Sequence, residues 1–71
     1  MIAITGGTGH IGNVLVRELV ARGEQVRVLA LATEDTRPLD GLPIEIVPGD
    51  VLDAHSLEVA FSGADLVYHV A

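Results

Sequence analysis

Four glycines fall within seven positions near the start of the chain, in the run "ITGGTGHIGN" at residues 4–13. Glycine lacks a Cβ, so it accepts positive φ and lets backbone N–H groups approach a ligand closely. If such a run joins a strand to a helix, the unpaired N–H groups of the first helical turn and the positive end of the helix dipole face an anion. The chemistry on offer is therefore the holding of phosphates. Two frames fit. Gly7, Gly9 and Gly12 make G-x-G-x-x-G, while Thr5, Gly6, Gly9 and Gly12 make T-G-x-x-G-x-x-G. A nucleotide P-loop also needs Lys and then Ser or Thr after its last glycine, and Asn13 and Val14 stand there instead.

A dinucleotide site usually adds an acidic residue about 20 positions further on, for the adenosine ribose. Ala30, Leu31 and Ala32 occupy that stretch. Glu34, Asp35 and Arg37 come later and read as a solvated loop; Arg37 meets a 2′-phosphate only if the loop folds back. Asp50, in "GDVLD" at residues 49–53, follows a short apolar run. It either accepts from an adenine amino group or shapes a turn. His10, His55 and His69 fall on different elements with no i,i+4 pair, so they do not read as a metal site. His10 offers the loop its backbone N–H. His69 and Tyr68 read as packed strand residues.

These residues need elements to hold them. Residues 1–5 form a short apolar run ended by glycines, as a strand buried on both faces would be. Residues 10–22 have helical period: Ile11, Leu15 and Leu19 recur at four, Val14, Val16 and Val20 widen the stripe, and Gly23 is placed as a left-handed stop. Residues 25–31 read as a second strand, 33–41 as a polar loop, and 44–47 as a third strand stopped by Pro48-Gly49. Asp53 is placed to cap a helix over 54–62, with Leu57, Ala60 and Phe61 inward and Gly63 as its stop. Residues 65–71 read as a fourth strand. Strands and helices in this order predict an α/β fold, the first half of a doubly wound Rossmann-type parallel sheet with right-handed crossovers. In such a sheet the loop after the first strand receives a dinucleotide.

Composition limits the alternatives. A chain of 71 residues is one small domain at most, and at this size burial and chain entropy nearly cancel. A net charge of −6 and the absence of lysine argue against nucleic-acid binding. No run approaches 18 apolar residues and the N-terminus does not read as a signal peptide, so no membrane span is expected. Cysteine is absent, which removes disulfides and thiolate metal sites and is compatible with the cytoplasm, the expected location.

Three stretches, "TGGTGHIG" (5–12), "GDVLD" (49–53) and "VYHVA" (67–71), resemble in order and spacing the N-terminal part of the extended short-chain dehydrogenases/reductases. This is the NAD(P)-dependent epimerase/dehydratase and dihydroflavonol-reductase-like group. The resemblance covers the whole chain and selects the frame of Thr5, Gly6, Gly9 and Gly12. It implies that the backbone of His10 and Ile11 faces the pyrophosphate, that Asp50 and Val51 meet the adenine, and that Ala71 lies beside the adenosine ribose. It implies NAD or NADP as cofactor and a small molecule bearing a hydroxyl or carbonyl as substrate.

The group's catalytic Tyr-x-x-x-Lys and its Ser or Thr have no counterpart before Ala71, and Tyr68 is not that tyrosine. Residues 1–71 are thus expected to be a truncated part of a NAD(P)-binding domain. Two other readings stay open: a NAD(P)-binding regulatory module without catalysis, and a structural fragment that binds no cofactor. With its fourth strand at the edge of the sheet, the isolated chain is expected to be marginally stable or to self-associate.

Overall fold

The computed structural model describes residues 1–70. Its elements are β1 (Ile2–Thr5), α1 (His10–Ala21), β2 (Val26–Ala30), a 3₁₀ turn (Arg37–Leu39), β3 (Glu45–Pro48), α2 (Ala54–Phe61) and β4 (Leu66–His69). The four strands form one parallel sheet in the order β3-β2-β1-β4. The chain moves outward from β1 through β2 to β3, then returns across the sheet to place β4 on the other side of β1. The strand order reverses between β1 and β4, and in open α/β sheets ligands bind at the carboxyl ends of the strands beside such a reversal.

Alternation along the strands separates the two faces. Ile2, Ile4, Val26 and Val28 pack with Val16 of α1 and with Leu39. Arg27 and Leu29 point the other way, toward α2. Arg27 donates to the carbonyls of Ala60 (3.0 Å) and Ser62 (2.9 Å) and pairs with Glu45 at 2.5 Å. One arginine thus ties β2, β3 and the end of α2 together at the amino edge of the sheet. The inner strands β1 and β2 are buried nearly throughout.

Gly23 ends α1 with φ +81°, its N–H bonded to the Val20 carbonyl and that of Glu24 to the Leu19 carbonyl. This pattern of two bonds closing on a left-handed glycine is the Schellman motif. Asp53 caps α2 as its sequence position predicts, accepting from the His55 N–H at 3.0 Å.

Several expectations need correction. Ile11 and Val14 are not part of the buried stripe of α1: they are 71% and 55% exposed, and Gly12 and Val16 take the inward positions. The helix meets the sheet through its glycine side, because only there can the two backbones come close. The segment 33–41 is not uniformly solvated, since the 3₁₀ turn inserts Leu39 into the core at 2% exposure. The third strand runs from Glu45 to Pro48, one residue later than expected, and stops before Gly49, with Pro48 as its last residue on an edge strand. The predicted fourth strand is present but shorter, and all four of its residues are exposed. No helix among the described residues is long and apolar enough to cross a membrane, and no metal-binding cluster of His, Asp and Glu occurs among them.

Candidate functional site

The glycine loop is held by contacts that leave no room for side chains at two of its positions. Gly6 has φ +77°, and a Cβ there would lie 1.8 Å from the Val70 carbonyl oxygen. That oxygen is fixed, because the Val70 N–H donates to Thr5 at 3.0 Å as β4 leaves the sheet. A Cβ on Gly12 would lie 1.9 Å from the Gly6 carbonyl oxygen. Gly6 is therefore gripped between the end of β4 and the first turn of α1. This matches the frame that begins at Thr5. Gly7 has a packing role of its own: a Cβ there would press within 2.9 Å of Val28 in the core.

Gly9 differs. A Cβ on it would meet nothing nearer than the Gly6 carbonyl oxygen at 3.6 Å, an ordinary contact. No neighbour among the described residues demands a glycine here. Gly9 is also the N-cap of α1, with φ −69° and ψ 169°, and no side chain caps the helix. The first turn carries no acidic residue. The first intrahelical bond runs from Asn13 to Gly9, which leaves the N–H groups of His10, Ile11 and Gly12 without helical acceptors. The result is a bare, positively polarised helix end with an unobstructed backbone in front of it.

Beside this loop, across the carboxyl ends of the strands, lies a cavity of about 450 Å³. Thr5 and Gly6 from β1, Leu29 and Leu31 from β2, Gly49, Asp50 and Val51 after β3, and His69 and Val70 from β4 form its wall, together with Glu34. Of the residues expected to hold the cofactor, Thr5, Gly6, Asp50 and Val51 line this cavity. Gly9, His10, Ile11 and Gly12 stand next to it at the loop–helix junction, and Ala71 lies outside the described residues.

The chemistry of the wall is mixed. Leu31 and Val51 expose apolar surface at the rim. The Asp50 carboxylate accepts from the Leu52 N–H at 2.9 Å, so it shapes the turn while also facing the cavity. Gly49 sits close to Leu29 and Ser56, and its N–H donates to Ala30 at 2.9 Å, which brings the Asp50 turn against β2. Thr5 Oγ1 and His69 Nδ1 share a hydrogen bond of 2.7 Å across the β1–β4 pair, and Phe61 meets the His69 ring edge-on at 6.0 Å. His69 is thus oriented on both sides but is part of the cavity wall rather than simply packed.

Glu34 is the residue that sequence reasoning placed wrongly. It does not belong to a solvated loop. A turn over residues 31–34 returns the Glu34 N–H to the Leu31 carbonyl at 2.9 Å, and Glu34 Oε1 accepts from the Leu31 N–H at 3.2 Å. Its other oxygen accepts from the Thr8 hydroxyl. The only sequence signal for this was a short polar run directly after an apolar strand. Asp35 and Arg37 do behave as a surface pair: the guanidinium forks onto the carboxylate at 2.8–3.1 Å, which holds the Asp35 pKa below its ordinary value.

The chain is similar to several known proteins over nearly its whole length. It is 46% identical over 68 residues to the sterol demethylase protein B of Methylococcus capsulatus, covering 96% of this chain and 21% of that protein. The crystal structure of gox2253 superposes with a TM-score of 0.95 at 34% identity, over 100% of this chain and 22% of that one. A short-chain dehydrogenase/reductase superfamily protein from Agrobacterium tumefaciens, solved with bound NAD, matches at TM-score 0.79 and 31% identity, over 100% and 20% of the two chains. Reductases and a UDP-glucose 4-epimerase also occur among the similar proteins. The chain spans about a fifth of the length of these relatives. The NmrA-like family profile matches residues 1–71 from end to end. With the glycine loop, the strand order and the sequence match in agreement, the chain belongs to the NmrA-like family.

Proposed function

We propose that residues 1–71 are the N-terminal, dinucleotide-binding part of an NAD(P)-dependent oxidoreductase or epimerase that acts on a small hydroxyl- or carbonyl-bearing substrate. The observation that carries this reading is the bare N-terminus of α1 behind Gly9. Packing among the described residues makes no demand for a glycine at that position, and a pyrophosphate would use the space. The cavity beside it, at the strand-order reversal, has the mixed apolar and polar wall that an adenosine requires.

In this reading the loop from Thr5 to Gly12 approaches the pyrophosphate through the N–H groups of His10, Ile11 and Gly12. Asp50 and Val51 border the adenine, Val51 and Leu31 by apolar contact and Asp50 as an acceptor. Ala71 is proposed for the ribose side of the same site. When bound, the nicotinamide supplies the hydride chemistry, and the residues of this chain bind and orient it. The protein is proposed to be cytoplasmic. For the 71 residues by themselves we infer self-association through β4, whose Leu66, Val67 and Tyr68 are exposed along a sheet edge; a monomer at all concentrations in sedimentation equilibrium would refute this.

The test is a titration of the protein, expressed from its whole reading frame, with NADH and NADPH, followed by nicotinamide fluorescence. Saturable binding that is weakened at least about tenfold by Gly9→Ala supports the reading. Failure of a folded protein to bind either dinucleotide overturns it.

A further inference from the structure

We propose that His69 is a proton-binding residue of the cofactor site: its imidazolium form tightens dinucleotide binding, so that binding takes up a proton and affinity rises as pH falls through the imidazole range. The inference rests on the dinucleotide reading above and deepens it by giving the site a pH response. His69 is the last residue of β4 and lies in register with Thr5, the last residue of β1. It lines the cavity and is exposed, so it exchanges protons with solvent. Two contacts orient the ring there: Nδ1 shares the 2.7 Å hydrogen bond with Thr5 Oγ1, and Phe61 stands edge-on at 6.0 Å.

The tie to Thr5 tolerates both protonation states. In the neutral ring Nδ1 either accepts from the hydroxyl or donates to it, and in the imidazolium it donates. A threonine hydroxyl serves in either sense, so the ring gains a proton without losing its partner. Thr5 itself is 2% exposed and directly precedes Gly6, so the ring is anchored to the strand that feeds the glycine loop.

The ionised side chains around His69 are of one sign. Glu34, in the turn after β2, and Asp50, in the turn after β3, line the same cavity, and no Lys or Arg does so among the described residues. The arginines are bonded elsewhere, to the Pro38 carbonyl, Glu18, Glu45 and Asp35. On α2, His55 and Glu58 are exposed and Phe61 meets the ring; β1 carries no charged residue. A pyrophosphate adds negative charge to this acidic wall, and it keeps that charge throughout the range in which an imidazole titrates. A protonated His69 offsets it. A group that holds its proton more tightly in the complex than in the free protein makes affinity rise as pH falls.

The experiment measures the NADH dissociation constant between about pH 6 and 8.5, using the protein from its whole reading frame and the variants His69→Asn, His10→Gln and His55→Gln. Asparagine keeps a hydrogen-bonding group near the Nδ1 position and cannot titrate. The unaltered protein is expected to bind at least about threefold more tightly at the acid end. His69→Asn should abolish that slope, and His55→Gln should retain it. At about pH 7 the His69 ring carbon signals should move toward their protonated positions when NADH saturates the site. This NMR arm needs no variant to fold. Binding that does not change with pH, a slope that survives in His69→Asn, a slope lost in His10→Gln alone, or ring signals that NADH leaves in place would each overturn the role of His69 while leaving the dinucleotide site standing. Failure of the folded, unaltered protein to bind NADH at any pH overturns both.

Discussion

The two helices of this small sheet begin in opposite ways. At α2, Asp53 closes the N-terminus by accepting from the His55 N–H, and the Ser56 hydroxyl donates to its other oxygen at 3.3 Å. At α1, Gly9 stands in the same position with no side chain, no acidic residue follows in the first turn, and three more glycines crowd the approach. Both helix ends carry unpaired N–H groups and a positive partial charge. One is satisfied within the protein, so its contribution goes to stability. The other is kept open, beside a cavity at the carboxyl ends of the strands, so its contribution is available to an anion. The difference separates a helix start closed by its own side chains from one left open.

The contrast can be broken most forcefully at Gly12. Gly12→Ala places a methyl 1.9 Å from the Gly6 carbonyl oxygen, where backbone must move to make room. A loss of about 3 kcal/mol or more in chemical denaturation is expected. A loss below about 1 kcal/mol would show that α1 can shift away from the loop freely.

Gly9→Ala sharpens the same comparison, because its Cβ has space in the protein. Stability should fall by less than about 1 kcal/mol, while NADH affinity falls at least about tenfold by fluorescence titration. An unchanged affinity would mean that the open helix end is not used.

Asp53→Ala is the mirror experiment. It should cost about 1 kcal/mol in denaturation and leave dinucleotide affinity unaltered. A change in affinity would connect α2 to the site more closely than the structure does.

The smallest expected effect lies at the surface pair beyond the Glu34 turn. Asp35 is held below its ordinary pKa of 3.8, chiefly by the side-chain hydrogen bond from Arg37 and next by the Arg37 backbone N–H. A carboxylate with a depressed folded pKa lends stability above its unfolded value and loses it as pH falls through the folded one. Asp35 should therefore titrate below 3.8 in a carboxyl NMR titration, and Arg37→Ala should bring it back toward that value. Because the pair is fully exposed, little change in overall stability should accompany this.

Local patterns made a good part of this molecule legible before its structure. Gly23 and Asp53 act through bonds to neighbours a few positions away, so their types and spacing suffice to assign a stop and a cap. The alternation of strands and helices is likewise a local record, and it implies a parallel sheet because parallel strands need a crossover between them. The glycine run could be read as a phosphate loop because the strand before it and the helix after it are both visible in the sequence.

Other features depend on which segments meet. Nothing near Gly12 in sequence says that its hydrogen faces the Gly6 carbonyl, or that Gly6 in turn lies under Val70, more than sixty positions away. Ile11 and Val14 match the helical period as well as Val16 does, yet only Val16 is buried, because the close glycine approach rotates α1 onto its other side. Leu39 sits in a polar stretch and becomes core only when the 3₁₀ turn lays it under α1 and the sheet. Glu34 reads as solvated until the turn over 31–34 places it between Leu31 and Thr8. The sequence by itself determined where helices start and stop and which residues could hold a phosphate, since those properties follow from bonds within one turn of chain. The tertiary structure alone decided which glycines are compelled by packing, which one has room for a side chain, and which carboxylates line the cavity, since those depend on contacts between segments that no local spacing records.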